Sequence, residues 1–353
     1  MKRLLELPEY IEDVRRVASL DLPWAKLRGK TLLITGGTGL IGSFLIDVLK
    51  AAEIGGRVFL LGRSEEKAKA RFAEYWDSEW LKFVKWDAAA SEMPHIEGTV
   101  DFVLHLASNT HPVAYATDPI GTITTNVLAL NNLLALAANK KSERFLFASS
   151  NEIYGENRGD VELFDEKYCG YIDCNTLRAG YPESKRCGEA LCQAYIKQKE
   201  LDCVIARLTR TYGPTVLPTD TKAISQFFHN ALRGEDIVLK SDGRQYYSYQ
   251  HVVDSVSGLL TVLLKGETGE AYNIADESGD ITLRDLAGLI AAVAGNKVVF
   301  DLPNAVESAG FSKATKARLD GGKLKLLGWL PAYDVYHGVE VNYRILRKVY
   351  FGG

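Results

Sequence analysis

The chain has 353 residues, 46% of them apolar and 25% charged, with a net charge of −3. That profile suits a globular protein with a large core and two lobes, and it gives no electrostatic reason to expect nucleic acid or a membrane surface as partner. No uninterrupted apolar stretch attains the roughly 18 residues of a spanning helix, and the opening MKRLLELPEYIEDVRRVASLD mixes acids into its apolar pattern, unlike a signal peptide; the cytoplasm is the expected location.

Residues 1–29 read as a helical N-terminal extension. From there the chain alternates short β-branched runs with longer helical patterns, as right-handed βαβ units on a parallel sheet do. TLLIT (31–35), RVFLL (57–61), LKFVKW (81–86), DFVLHL (101–106), RFLFAS (144–149) and DCVIARL (202–208) are predicted strands. GLIGSFLIDVLKAA (39–52), EEKAKARFAEYW (65–76), NVLALNNLLALAANK (126–140) and ESKRCGEALCQAYIKQ (183–198) are predicted helices. Beyond Gly213-Pro214 the pattern loosens. The expected class is α/β: a Rossmann-type doubly wound parallel sheet over 30–210, then a smaller α+β substrate lobe over 211–353, some of whose segments return to the first domain.

The first strand runs into TGGTGLIG, where Gly36, Gly39 and Gly42 fit G-x-x-G-x-x-G. Such glycines permit a tight turn, close backbone approach to a pyrophosphate and close helix-to-strand packing, while the helix N-terminus offers N–H groups to the anion. A dinucleotide site is expected. At the end of the second strand an acid would accept from both ribose hydroxyls of NAD, but this chain has Gly62-Arg63-Ser64. Arg63 can pair with a 2′-phosphate, which leans the cofactor toward NADP, or it is a solvated side chain at a helix start; NAD(P) is the open reading. Five cysteines fall between Cys169 and Cys203 without a C-x-x-C pair, and the six histidines form no cluster, so reduced thiols and no metal are expected.

In AGYPESKR, Tyr181 and Lys185 lie four apart, neighbours on one helical face. An ammonium that close lowers a phenol's pKa, suiting Tyr181 to acid/base work, and Lys185 can also hold a nicotinamide ribose. Further upstream SSNEIYG (149–155) sets Glu152 two residues past Ser150; continued strand register would point both to one side of the sheet. Glu152 then serves the same site as Ser150, or it caps a helix or pairs with an arginine.

With TGGTGLIG, Asp87, HLAS (105–108), TTNV (124–127), SSNEIYG, YPESK, RTYGP (210–214) and LGW (327–329), residues 30–345 resemble the extended short-chain dehydrogenases/reductases of the nucleotide-sugar epimerase/dehydratase group. The resemblance implies a tightly held NAD(P) contacted by Gly36, Thr38, Gly39, Leu40, Ile41, Gly42, Arg63, Asp87, Ala88, Leu106, Ala107, Ser108, Tyr181, Lys185 and Leu208. It implies Ser150, Tyr181, Lys185 and Glu152 as the catalytic set, and a homodimer joined through helices near 120–139 and 181–198. Its implied partner is a nucleotide-linked sugar, met by Asn151, Arg178, Arg210, Arg244 and Tyr247.

Around RAGYPESKRCGEALCQAYIKQ the likeness is to UDP-glucuronate decarboxylases, which keep a glutamate at the place of Glu152, whereas 4-epimerases have small or neutral residues there. The 4,6-dehydratases carry Asp-Glu, and Asn151 cannot deliver the aspartate's proton. Two places depart from the group's pattern: Arg210 stands for the asparagine of N-x-Y-G-P, and Tyr247 for an arginine that contacts the diphosphate; Arg210 or Arg244 could resupply that charge. The expected activity is transient oxidation at a sugar C4 to a 4-keto intermediate, decarboxylase-like. The alternatives are a net NADPH-dependent carbonyl or sugar reductase and, from another class, a non-catalytic dinucleotide-binding sensor or scaffold.

Overall fold

The computed structural model describes residues 3–89, 92–110, 115, 117–301 and 315–352. β1 (Thr31–Thr35), β2 (Arg57–Gly62), β3 (Leu81–Lys85), β4 (Phe102–His105), β5 (Arg144–Ser150) and β6 (Cys203–Leu208) form where the apolar runs predict them. Nearly every residue of β1, β4, β5 and β6 is buried, which is why these strands read as continuous apolar runs rather than alternating ones. The sheet order is β3-β2-β1-β4-β5-β6-β10, all parallel. Its seventh strand, β10 (Ala271–Ile274), comes from far down the chain and pairs with β6.

Helices α1 (Pro8–Ala18), α2 (Leu40–Ala51), α3 (Glu65–Arg71), α4 (Pro119–Lys140) and α5 (Gly180–Lys199) precede β6. Two of them correct the sequence reading. α3 stops at Arg71 instead of running to 76, because Phe72 and Tyr75 turn inward, where the Tyr75 hydroxyl bonds the buried Asp47 carboxylate. α4 is long and apolar enough to cross a membrane by length and composition, contrary to expectation. It lies on β4, β5 and α5, and its Ala129, Leu130, Leu133, Leu134, Leu136 and Ala137 fill one core layer of the sheet.

The N-terminal extension docks: α1 lies against α2, with Tyr10 donating to Asp47, and Asp13 accepts from the Tyr333 hydroxyl at 2.6 Å. The second lobe has its own core. In it β7 (Arg210–Tyr212), β9 (Tyr246–His251), β11 (Asp280–Thr282) and β13 (Lys316–Ala317) make a small mixed sheet, and β8 (Ile237–Leu239) pairs with β12 (Val298–Phe300). α6 (Ala223–Arg233), α8 (Leu283–Ala294) and α9 (Val335–Phe351) cover them, while α7 (Val252–Lys265) packs back on β6 and β10.

Candidate active site

The strand order reverses between β1 and β4, and open α/β sheets bind ligands in the crevice outside the carboxyl ends of the strands at such a point. Gly36 follows β1 with φ +72, and a Cβ there would lie 2.7 Å from the Ala107 nitrogen, because the loops after β1 and β4 cross in contact. A Cβ on Gly42 would lie 2.4 Å from the Gly36 carbonyl oxygen, so the start of α2 can sit on the loop only as glycine. Gly39 caps α2 with no side chain bonded to its first-turn N–H groups, which leaves them for an anion. Thr38, Leu40 and Ile41 are half-buried on the same turn.

Other predicted cofactor residues ring that crevice at successive strand ends. Arg63 is exposed just past β2, and Ser64 behind it caps α3 by accepting from the Lys67 N–H. Asp87 and Ala88 follow β3, with the Asp87 carboxylate accepting from Ala89 N at 3.0 Å. Leu106, Ala107 and Ser108 follow β4, and Leu208 ends β6. A backbone cradle, an open helix N-terminus and a lysine-tyrosine pair at its far side fit a dinucleotide.

Ser150 ends β5, and α5 brings Tyr181 and Lys185 against it; all three are buried. The Ser150 and Ser108 side chains lie close to the Tyr181 hydroxyl and work against the rise in its pKa. Behind it, Ser108 donates to Asn126 at 2.7 Å, Asn126 donates to Ser184 at 2.8 Å, and Ser184 donates to the Tyr181 carbonyl at 2.7 Å. That chain of bonds ties the loop after β4 to the first turn of α5, and so fixes where the phenol stands. Asn126 lies inside TTNV; nothing in its spacing announces the role.

One expectation fails here. Lys185 does not lower the Tyr181 phenol: burial, and secondly the negative Glu152, push that pKa up. The ammonium of Lys185 donates to the Ala148 carbonyl at 2.8 Å and lies over the Phe147 ring at 4.9 Å, and burial drops its own pKa to about 7. Spacing of i, i+4 makes the two side chains neighbours but says nothing of solvation, and desolvation is the larger effect.

The consequence is measurable. In the cofactor-free protein Lys185 loses its proton near pH 7, whereas the unfolded chain keeps it to its ordinary value of 10.5. The unfolded state then binds more protons across that window, so the penalty is full below pH 7 and fades as pH rises. Thermal melts of wild type and Lys185→Met should show the wild type gaining on the variant from about pH 7 to pH 10. A pH-independent difference would mean that the lysine is charged in the fold.

Glu152 is a second correction. β5 ends at Ser150, and Asn151–Tyr154 is a 3₁₀ turn that Ser150 caps by accepting from Glu152 N at 3.2 Å, so strand alternation does not apply. The Glu152 carboxylate accepts from Arg178 Nη2 through both oxygens at 2.7 Å, which is the arginine pairing weighed as the plain alternative. It still sits in the field of Tyr181. Arg178 also lies over the Tyr115 ring at 4.7 Å, and Tyr115 stacks on Tyr181 with centroids 5.0 Å apart. Asn151 is buried in the same turn.

Of the remaining substrate candidates, Arg210 stacks on Tyr247, 3.4 Å from guanidinium carbon to ring centroid. Arg244 does not join them: its side chain is 87% exposed and paired with Asp242 at 3.1 Å, on the turn before β9. Sequence reasoning passed over Tyr115, which has no motif around it. It also passed over Thr35 and His105, whose side chains bond at 2.8 Å across the ends of β1 and β4, Thr35 Oγ1 in turn accepting from Ala107 N. Glu189 extends the Tyr181–Lys185 stripe by one more i+4 step and binds Arg207 and Ser149. That spacing was a readable signal.

Residues 32–275 match the model of the NAD dependent epimerase/dehydratase family. The chain belongs to that family. This epimerase/dehydratase family member is an enzyme of the extended short-chain dehydrogenase/reductase type. It is 30% identical over 347 residues to UDP-glucuronic acid decarboxylase 2 of Arabidopsis thaliana, covering 98% of this chain and 74% of that one. Against UDP-glucuronic acid decarboxylase 1 of Danio rerio the identity is 32% over 314 residues, 88% and 71% of the two chains. Among solved structures it is similar to a dTDP-glucose 4,6-dehydratase of Streptomyces venezuelae with NAD bound, at 26% identity and TM-score 0.77 over 90% of this chain and 97% of that one. The fold is shared too with a UDP-glucuronic acid 4-epimerase of Bacillus cereus, at 20% identity and TM-score 0.77 over 91% and 100% of the chains.

Proposed function

We propose that this family member decarboxylates a nucleotide-linked uronic acid by way of a 4-keto sugar. Glu152 carries the reading: a carboxylate held by Arg178 within the field of Tyr181, at a place where the neighbouring Asn151 cannot act as an acid. Relatives that bear the name UDP-glucuronic acid decarboxylase support the same choice. The nicotinamide, when bound, supplies reversible oxidation at C4. Tyr181 takes the C4 hydroxyl proton, with Ser150 and Ser108 orienting the phenol. The keto group makes the neighbouring carboxylate a β-keto acid: the C5–carboxylate bond breaks, CO₂ leaves, and its electron pair stays as an enolate that takes a solvent proton at C5 relayed by Glu152. Return of the electrons to C4 and of the proton from Tyr181 yields a pentose product with no net redox change.

Arg63 supports NADP by its place at the exit of β2, whereas the dehydratase neighbour was solved with NAD. Both points are tested together. Purified protein given UDP-glucuronate should release CO₂ and a UDP-pentose without added cofactor, and mass spectrometry after denaturation should identify the retained dinucleotide. CO₂-free conversion to an isomer would instead make the chain an epimerase. Stoichiometric consumption of NADPH would favour the net reductase, and release of NAD would return Arg63 to the solvated surface.

A further inference from the structure

β7 and β9 run parallel with Arg210 opposite Tyr249, and strand alternation puts Tyr247, two residues back, on the same face. The Arg210 guanidinium therefore lies flat on the Tyr247 ring. A stacked guanidinium keeps its N–H donors in its own plane, directed at whatever lies beyond the ring edge. Arg210 Nη1 is buried without an acceptor, and so is Arg178 Nε, although Arg178 spends its Nη2 on Glu152. The phenol of Tyr247 lies in the fields of Arg210, Glu152 and Arg178, and Tyr181 in those of Glu152 and Arg178, so the Arg210–Tyr247 stack and the Arg178–Glu152 pair are near neighbours on the Tyr181 side of the site. Two guanidiniums there face one carboxylate, leaving one unit of positive charge and two buried donors to be matched. Buried donors of this kind are almost always satisfied in proteins.

We propose that Arg210, shelved on Tyr247, binds the carboxylate that the sugar carries beside the carbon undergoing oxidation, with Arg178 Nε as a second donor, and that this pair selects a uronate over a neutral hexose. The assignment rests on the nucleotide-sugar reading above and adds the group that determines its specificity. A planar fork matches the two oxygens of a carboxylate, and the space beside Tyr181 is where a substituent on C5 must fall when the C4 hydroxyl meets the phenol. An ion pair to the carboxylate also holds charge that departs as CO₂ forms. Arg210 is therefore expected to act on binding rather than on rate.

The test is direct titration of UDP, UDP-glucose and UDP-glucuronate into wild-type holoenzyme and into Arg210→Gln, with melting curves confirming the fold. UDP-glucuronate should bind roughly 10- to 100-fold more weakly to the variant, the scale of a hydrogen bond to a charged group. Affinities for UDP and UDP-glucose should change by less than about threefold on the same scale. Tyr247→Leu keeps the charge and removes the shelf, so it should show a smaller loss confined to UDP-glucuronate; it stands as the second variant if Arg210→Gln does not fold. Equal weakening of all three ligands would make Arg210 a diphosphate contact and overturn the proposal, as would no weakening of any. Wild type that binds UDP but does not prefer UDP-glucuronate to UDP-glucose also overturns it while sparing the nucleotide-sugar reading. Failure of wild type to bind any of the three removes both.

Discussion

Tyr181→Phe is expected to slow turnover by about 10²-fold or more, the lower end of what a positioned general base contributes, while cofactor retention and melting temperature stay close to wild type. The phenol is the group that Ser150 and Ser108 orient, and the Ser108–Asn126–Ser184 chain holds its helix turn in place without using the phenol oxygen. Phenylalanine keeps the stack on Tyr115 and removes only the proton acceptor. Burial and Glu152 raise the phenol's pKa in the cofactor-free site, so its activation depends on positive charge supplied nearby. Lys185 is the residue placed to supply it once its surroundings favour the ammonium. Near-normal turnover by Tyr181→Phe with UDP-glucuronate would sink the oxidative mechanism.

Glu152→Gln is expected to separate the chemistry into two halves. Glutamine keeps the shape and can accept one bond from Arg178, but it removes the charge and the base. Oxidation at C4 uses Tyr181 and should proceed, so the near-ultraviolet absorbance of reduced nicotinamide should rise on mixing with substrate and persist. The protonation at C5 that follows CO₂ loss should stall, with 4-keto sugar accumulating and UDP-pentose formation falling by about 10²-fold, again the scale of a general acid/base, while CO₂ is still released. Removing Glu152 also leaves Arg178 half-buried with no carboxylate, a cost of about 1–3 kcal/mol for an unsatisfied charged group, so some loss of thermal stability is expected. Lower stability together with wild-type product formation would leave Glu152 a structural partner of Arg178 and nothing more.

Much of this fold is legible locally. TLLIT followed by TGGTGLIG announces a strand, a tight glycine turn and a helix start, since each glycine answers a contact within the same short unit: Gly42 against Gly36 is one example. The central strands β1, β4, β5 and β6 declare themselves because burial on both faces leaves little but apolar residues in them. Tyr181 and Lys185 are legible for the same reason, four residues apart on one helix. By contrast, the return of β10 to the edge of the sheet, the docking of α1 on α2 and the early end of α3 depend on partners tens to hundreds of residues away.

The same division runs through the site. From the chain alone come the glycine turn after the first strand, the serine, tyrosine and lysine, and the glutamate of SSNEIYG, because these are sequence-local patterns or neighbours within a turn. Which way Glu152 points was decided by the break in β5 at Ser150, its pairing by Arg178 twenty-six residues on, and the protonation of Tyr181 and Lys185 by how completely the assembled core excludes water. Arg210 and Tyr247 are single departures from a pattern until β7 and β9 lie side by side; only then does one stack on the other and leave a buried donor without an acceptor. Charge, burial and reach between distant segments are properties of the packed whole, and no window of sequence contains them.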